Sequence, residues 1–314
     1  MITFPCAKIN LGLNVVAKRP DGYHDLETVF YPVPLTDALE VHCMHHDFPL
    51  KDNYDICITG AEVAGNPADN LVVKAYNMIA KHYDIPRVHI HLYKGIPMQA
   101  GLGGGSSDAA YMIRLLDEYF KLNMGNREME RYAAKLGADC AFFITAEPAY
   151  ATGIGDVLQP IGSEQDCKHY LKDYWIALIK PDVAVSTKEA YAGITPRMAQ
   201  KSCREIVLQP IETWRNELVN DFEESIFPKY PVLSEIKKRK PDLCYFDSEY
   251  KGEYPKLEIS TEELGEYYPA ASVDAKENPE RMEEVRKITA LVDEGKEPYF
   301  SMWKDIVEVS KESI

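Results

Sequence analysis

The sequence predicts a mixed α/β (α+β) fold in more than one domain, on three observations. Apolar and polar residues alternate with a strand period over 7–17, and 26–33, 38–43 and 88–93 read as further strands. Apolar residues recur at helical spacing over 69–83 and again after residue 108, where Ala109, Met112, Ile113, Leu116 and Phe120 share a face. The length, 314 residues, exceeds the ~100–200 of a typical domain, so two domains are expected. With 46% apolar and 27% charged residues the composition is that of a globular chain, which excludes global disorder, collagen and a disulfide scaffold.

The elements follow in order. Residues 7–17 form the first long strand, and Arg19-Pro20-Asp21-Gly22 supplies the turn chemistry after it. In the helix over 69–83, Leu71, Val72, Ala75, Met78 and Ile79 make one face, and Asp69 or Asn70 is the N-cap. Strand 88–93 leads into Ile96-Pro97-Met98-Gln99-Ala100-Gly101-Leu102-Gly103-Gly104-Gly105-Ser106-Ser107-Asp108 and the next helix. A short helix over 127–136 breaks at Gly137, 141–144 reads as an apolar strand, 152–155 as a loop and 175–179 as a buried strand. Gly162-Ser163-Glu164-Gln165-Asp166 marks a boundary, giving domains 1–160, 161–238 and 239–314.

Charge separates the last of these from the rest. The net charge is −15; residues 239–314 carry 19 acids against 11 bases, and the threefold longer 1–238 carries 31 against 24. A chain this acidic repels polyanions, so no nucleic-acid partner is expected and any phosphate must be caught locally. The longest apolar runs are far below the ~20 residues that cross a bilayer, so no membrane partner is expected either. The seven cysteines form no C-x-x-C pair and read as reduced thiols of a cytoplasmic protein. The oligomeric state is not encoded in any of these features.

Three blocks carry chemistry. Four glycines in five residues (Gly101, Gly103, Gly104, Gly105), then Ser106, Ser107 and a helix, suit backbone N–H groups that surround an anion. The loop lacks both the Gly-Lys-Ser/Thr of a Walker loop and the G-x-G-x-x-G dinucleotide pattern; a glycine-rich helix start that binds nothing is the plainer alternative. Lys8 and Asn10 point to one face of their strand. A lysine on a buried face needs an anion, whereas on an exposed edge it needs nothing. Asp139, between a helix and an apolar stretch, is either a turn residue, a general base or the partner of Lys8.

Together the blocks resemble the GHMP kinase superfamily. The strings AKINLGLNVVAKRPDGYHDLETV (7–29), IPMQAGLGGGSSDAAYMIRLL (96–116) and LGADCAFF (136–143) carry the resemblance. Within the superfamily, RPDGYH and GLGGGSSDAA resemble the 4-diphosphocytidyl-2-C-methyl-D-erythritol kinases, and KPDVAVSTKEAY (180–191) and LVNDFEESIFPKYPVLSEIKK (218–238) resemble their second domain. The resemblance implies a ribosomal-protein-S5-like N-terminal ATP-binding domain and a ferredoxin-like C-terminal domain. It implies ATP and Mg²⁺ as cofactors, and cytidine diphosphate methylerythritol as a small-molecule substrate phosphorylated on its C2 hydroxyl for isoprenoid precursor synthesis. Asp139 and Lys8 would be catalytic. Gly101, Gly103, Gly104, Gly105, Ser106, Ser107, Lys94 and Asn70 would hold the nucleotide. Asn10, Tyr23, His24, Thr187 and Tyr191 would bind substrate. No residue is implied as a metal ligand.

Residues 239–314 depart from the family. Its third motif, a strand with a glycine-rich loop like SMSGSGSSVFGLF, has no counterpart among the unclustered Gly252, Gly265 and Gly295. The end of the chain reads instead as one or two amphipathic helices. The expected second domain is therefore atypical or incomplete. Two other readings follow: an impaired or repurposed nucleotide-binding protein with a rearranged C-terminus, or a GHMP kinase for another small alcohol.

Overall fold

The computed structural model describes residues 1–49, 52–61, 63, 65–161, 171, 174, 176–181, 183–239, 256, 259–262, 264, 265, 269, 272, 273, 276 and 279–312. The chain divides into two compact units, Met1–Leu233 and Ser234–Ile314.

The first unit is built on two four-stranded sheets. One has the order β1 (Ile2–Thr3), β4 (Ala38–Cys43), β6 (Val88–Lys94), β5 (Tyr54–Gly60). Its β5–β6 pair is parallel, and helix α1 (Leu71–Ala80) lies between these strands in the chain, as a parallel pair requires a crossover. The other has the order β2 (Cys6–Lys18), β3 (His24–Thr36), β7 (Ala149–Thr152), β8 (Val157–Pro160), all antiparallel. Strands β2 and β3 are 13 residues each and meet at the predicted Arg19–Gly22 turn, where Asp21 Oδ1 accepts from the Tyr23 amide at 3.0 Å.

Strand β6 shows why the first sheet has one covered face. Val88, Ile90, Leu92 and Lys94 are buried, while His89, His91 and Tyr93 alternate with them toward solvent. The buried face meets α1 through Val72, Ala75, Tyr76 and Ile79, and α2 (Gly104–Phe120) through Ala109, Met112, Ile113 and Leu116. Each of the valine, isoleucine, leucine and methionine side chains among these contributes about 1.5–3 kcal/mol when fully buried. Asn70 caps α1 through its side chain, which accepts from the Val72 amide at 2.9 Å. Helix α3 (Asn126–Ala133) follows, close to the predicted short helix.

Two expectations are corrected here. Residues 142–145 form one helical turn, α4 (Phe142–Thr145), not a strand. A short apolar run fits either form, and here Phe142, Phe143 and Ile144 are all buried, with the Phe142 ring 5.2 Å from that of Phe30. Residues 176–180 form no strand, and Ile179 is 56% exposed. A strand needs a hydrogen-bonding neighbour, and among the described residues no ladder forms there. Trp175 lies outside the described residues. The short strands β1, β5, β7 and β8 have no clear period in the sequence.

Beyond Pro160 the named elements of the described part of the first unit are helices joined by irregular segments: α5 (Thr187–Ala192), α6 (Cys203–Val207), α7 (Ile211–Glu217), α8 (Phe222–Ile226) and the start of α9 (Pro231–Arg239). These helices cover the free edge of β2. Leu13 N donates to Val219 O at 2.8 Å, Asp221 N donates to Leu13 O at 2.8 Å, and Asp221 Oδ2 accepts from Val15 N at 2.7 Å. Over Leu13–Val15 the edge is thus taken up by the chain itself and is not free to pair with another chain.

Gly12 makes the close approach possible. It sits at φ +71, where the β2–β3 register shifts, and a Cβ on it would lie 2.8 Å from both Cys203 Sγ and Leu218 Cδ1. Gly12→Ala is expected to cost about 2–4 kcal/mol, combining left-handed strain with overpacking. The urea midpoint of unfolding reads this; an unchanged midpoint would contradict it.

In the second unit, α10 (Pro279–Asp293) and α11 (Tyr299–Glu312) agree with the predicted amphipathic end. They contact each other, and Phe300 stacks on Trp303 with ring centres 5.9 Å apart.

Candidate active site

The glycine-rich loop connects the end of β6 to the start of α2. Gly101 and Gly103 both adopt φ +72, a conformation that side chains rarely take. At Gly103 space matters as well, because a Cβ would stand 2.8 Å from Phe143 Cζ and 3.1 Å from Lys8 Cγ. Gly103 is the N-cap of α2 and has no side chain to cap it. The N–H groups of the first turn, Gly104, Gly105 and Ser106, are thus available to an anion, with the helix dipole adding to the attraction. The loop is tied to β2 by Lys8 N, which donates to Leu102 O at 2.9 Å.

Lys8 is buried, so the exposed-edge reading does not apply. Its Nζ donates to Asn10 Oδ1 at 2.6 Å, lies 3.4 Å from Asp139 Oδ2, and stands 4.7 Å from the centre of the Phe30 ring. Asn10 Nδ2 donates to Thr28 Oγ1 at 2.9 Å, and that hydroxyl donates to Gly12 O at 2.5 Å. The chain of bonds fixes Asn10 with its oxygen toward the ammonium. Asp139 keeps 32% of its side chain exposed, so the pair faces solvent from the carboxylate side. Gly155, at φ +102, leaves room there: a Cβ on it would lie 3.6 Å from Asp139 Oδ1.

A second group of side chains lies beside the pair. The His24 ring stacks on Tyr191 with centres 4.8 Å apart and planes 12° from parallel, and Tyr191 meets Phe222 edge-on at 4.9 Å. Burial pushes the Tyr191 phenol up to about 12, and the negative charge of Asp139 adds to that shift. The hydroxyl therefore stays protonated at neutral pH, and the ring is a neutral stacking surface. Helix α5 is held for this purpose by Ser225 Oγ, which donates to Ala190 O at 2.6 Å.

Comparison with known proteins bears on the family and the fold. The family described as GHMP kinases N terminal domain matches residues 70–147, the segment that holds α1, β6, the loop, α2 and Asp139. A crystal structure of 4-(cytidine 5'-diphospho)-2C-methyl-D-erythritol kinase superposes with a TM-score of 0.57 at 28% identity, over 76% of this chain and 82% of the other. A protein of Bacteroides fragilis named 4-diphosphocytidyl-2-C-methyl-D-erythritol kinase is 51% identical over 238 residues, which is 76% of this chain and 84% of that one. The chain belongs to the 4-diphosphocytidyl-2-C-methyl-D-erythritol kinase family. A relative of the same name from Bacteroides thetaiotaomicron is 53% identical over 238 residues and 83% of its length. The fold is accordingly the mixed α/β GHMP kinase fold that the sequence predicts, and the chain is a small-molecule kinase by family.

Of the residues expected at the site, the loop glycines, Lys8, Asn10, Asp139, His24 and Tyr191 occupy connected positions. Ser107 is buried, its amide donates to Gly103 O at 2.8 Å, and its hydroxyl has no partner. Asn70 is engaged as the α1 cap, and α1 borders the loop through Leu71, 3.9 Å from where a Gly105 Cβ would stand. Tyr23 is 62% exposed beside the β2–β3 turn. The side chain of Thr187 lies outside the described residues.

Lys94 is engaged within the protein. Its ammonium is buried between Asp37 and Asp108, 2.6 Å from Asp108 Oδ2, and is not open to a nucleotide. A buried ammonium needs this counter-charge, and β6 alternation turns Lys94 inward with Ile90 and Leu92. Phe30, Phe222, Asp37 and Asp108 escape the sequence reading. Asp108 stands in the loop motif itself, and its place in the second turn of α2 is the signal that was available.

Proposed function

We propose that this chain transfers the γ-phosphoryl group of ATP to the C2 hydroxyl of 4-diphosphocytidyl-2-C-methyl-D-erythritol, in isoprenoid precursor synthesis in the cytoplasm. The observation that carries the reading is the Lys8–Asp139 pair, joined to the mouth of an anion-binding loop through Leu102 and Gly103. The Asp139 carboxylate takes the proton of the C2 hydroxyl as its oxygen attacks the γ-phosphorus. The new O–P bond forms, the bond from that phosphorus to the bridging β,γ oxygen breaks, and ADP leaves with the electron pair. The Lys8 ammonium offsets negative charge on the attacking oxygen and on the transferring group, from a buried position where it is held in advance by Asn10. The amides at the start of α2 cradle the donor phosphates.

Mg²⁺ is expected with the nucleotide, where it screens the β- and γ-phosphate charge. Asp108 is committed to Lys94, so no carboxylate of the α2 start is assigned to the ion. His24 and Tyr191 support a cytosine site, since a nucleobase stacks on such rings for about 1–3 kcal/mol. Tyr191→Ala is therefore expected to raise the substrate KM by about 5–100-fold and leave the ATP KM unchanged; steady-state kinetics with each substrate varied checks it.

ADP release by the full-length chain with ATP, Mg²⁺ and the diphosphocytidyl substrate tests the proposal. Substrate-dependent turnover supports it, and a folded chain that binds ATP without turnover overturns it. The second outcome belongs to an alternative that one observation favours: residues 239–314 lack the family's third motif. In that reading the chain is an impaired or repurposed nucleotide-binding protein. A panel of other small alcohols separates both from a kinase of different specificity.

A further inference from the structure

Asp37, Lys94 and Asp108 are buried together at the base of the glycine-rich loop, outside the catalytic pair. Asp37 joins β3 to β4. Its Oδ1 accepts from the amides of Gly95 at 2.7 Å and Ile96 at 2.8 Å, the two residues that open the loop, and its Oδ2 accepts from Lys94 Nζ. Its own amide donates to Pro5 O at 2.9 Å. Lys94 ends β6, and its Nζ also donates to Asp108 Oδ2 in the second turn of α2. The ammonium stands 3.3 Å from where a Cβ on Gly104 would be, against the first turn of the helix. One cation therefore ties the first residues of the loop to the helix at its other end.

We propose that Lys94 is a positioning residue for the phosphoryl donor. The Asp37–Lys94–Asp108 cluster fixes both ends of the glycine-rich loop and presets its amides for the nucleotide phosphates, without touching the nucleotide. A loop whose many glycines leave it free to move must lose that freedom on binding. Pinning its ends beforehand removes part of the cost, which is preorganisation. Burial suits the role, because a salt bridge out of water holds its geometry and loses heavily when one partner is removed. Asp108 is the weaker arm. Its other oxygen, Oδ1, is buried without a partner, and burial with the nearby Asp37 charge pushes its carboxyl up to about 8 against the pull of Lys94. At neutral pH a proton on this group brings the three charges close to balance.

The inference rests on the kinase reading only for the identity of the nucleotide. The decisive variant is Asp108→Leu in the full-length chain, because it removes one of the two acceptors of the ammonium while leaving Lys94 in place. If Lys94 contacted phosphate directly, ATP would bind equally well or more tightly. If Lys94 positions the loop, the ATP KM rises at least tenfold, kcat at saturating ATP stays within about threefold, and the KM for the diphosphocytidyl substrate does not move. Asp108→Asn keeps an acceptor for Lys94 and is expected to restore the ATP KM to within about threefold of the parent. An unchanged or lowered ATP KM in a cooperatively melting Asp108→Leu overturns the proposal, whatever happens to kcat. Should Asp108→Leu fail to melt cooperatively, Asp37→Asn applies the test from the other side, since it removes the carboxylate charge that faces both the ammonium and the loop amides. Displacement of a fluorescent ATP analogue gives the same comparison without turnover. Weak displacement by the variants and strong displacement by the parent supports the positioning role even where the parent shows no transfer, an outcome that removes only the kinase reading.

Discussion

Asp139→Asn is expected to lower kcat by about 10²–10⁴ while ATP affinity stays where it was, because a positioned general base contributes that much to proton transfer. The variant keeps the size of the side chain and a hydrogen-bonding oxygen, and it removes the group that takes the proton. Little else should change. Asp139 lies on a turn with a third of its side chain exposed, so the asparagine amide that replaces it is not buried. Lys8, which does lose a counter-ion 3.4 Å away, still donates to Asn10 Oδ1 and still faces the Phe30 ring. The loop glycines are bound to β2 through a backbone bond, Lys8 N to Leu102 O, which does not depend on the carboxylate. Rapid-quench measurement of the first turnover with ATP saturating reads the chemical step, and nucleotide displacement reads the binding. Transfer at the parent rate would remove Asp139 as the base and leave it a turn residue, which was its plainest reading from sequence.

Much of this site was legible beforehand because its residues fall in continuous strings with a defined period. Lys8 and Asn10 are two apart on a strand, and the structure indeed joins their side chains across 2.6 Å. The loop announces itself by composition, since no ordinary turn needs four glycines in five residues. Residues 142–145 were not legible, since three successive apolar residues have no period and the difference between turn and strand lies in which neighbours enclose them. The role of Lys94 was not legible either. Its partners Asp37 and Asp108 come from 57 residues before and 14 after, and only the sheet and α2 bring them together. His24 and Tyr191 meet across 167 positions of sequence for a similar reason: segment 219–221 lies along the edge of β2 and carries α8 and α5 to the site. Residues 176–180 show the opposite failure. Their apolar pattern predicts burial, yet a strand is completed by its neighbours, and the family motif expected to supply them is missing from this sequence.

Gly103→Ala is expected to abolish nucleotide binding in the measurable range, with a fall of at least a hundredfold in ATP affinity. Two costs act at this position. The backbone is at φ +72, where an L side chain is strained by about 1–2 kcal/mol. The added methyl would also stand 2.8 Å from Phe143 Cζ and 3.0 Å from Phe143 Cε2, with Lys8 Cγ at 3.1 Å. Phe143, a residue of α4, is wholly buried in the core and cannot retreat, so the loop must move instead. Movement there shifts the N-cap of α2 and with it the amides of Gly104, Gly105 and Ser106. It also strains the Lys8–Leu102 bond that aligns the loop with the catalytic lysine. A displacement of about 1 Å can by itself cost two orders of magnitude in such a site. Gly101 is the informative contrast. It shares φ +72, but a Cβ on it meets nothing within 4 Å, so Gly101→Ala carries the strain without the collision. Isothermal titration with ATP should therefore rank the parent first, Gly101→Ala second by about 5–30-fold, and Gly103→Ala last. Equal affinities for the two variants would show that backbone conformation alone governs the loop, and that its contact with Phe143 and Lys8 plays no part in holding the phosphates.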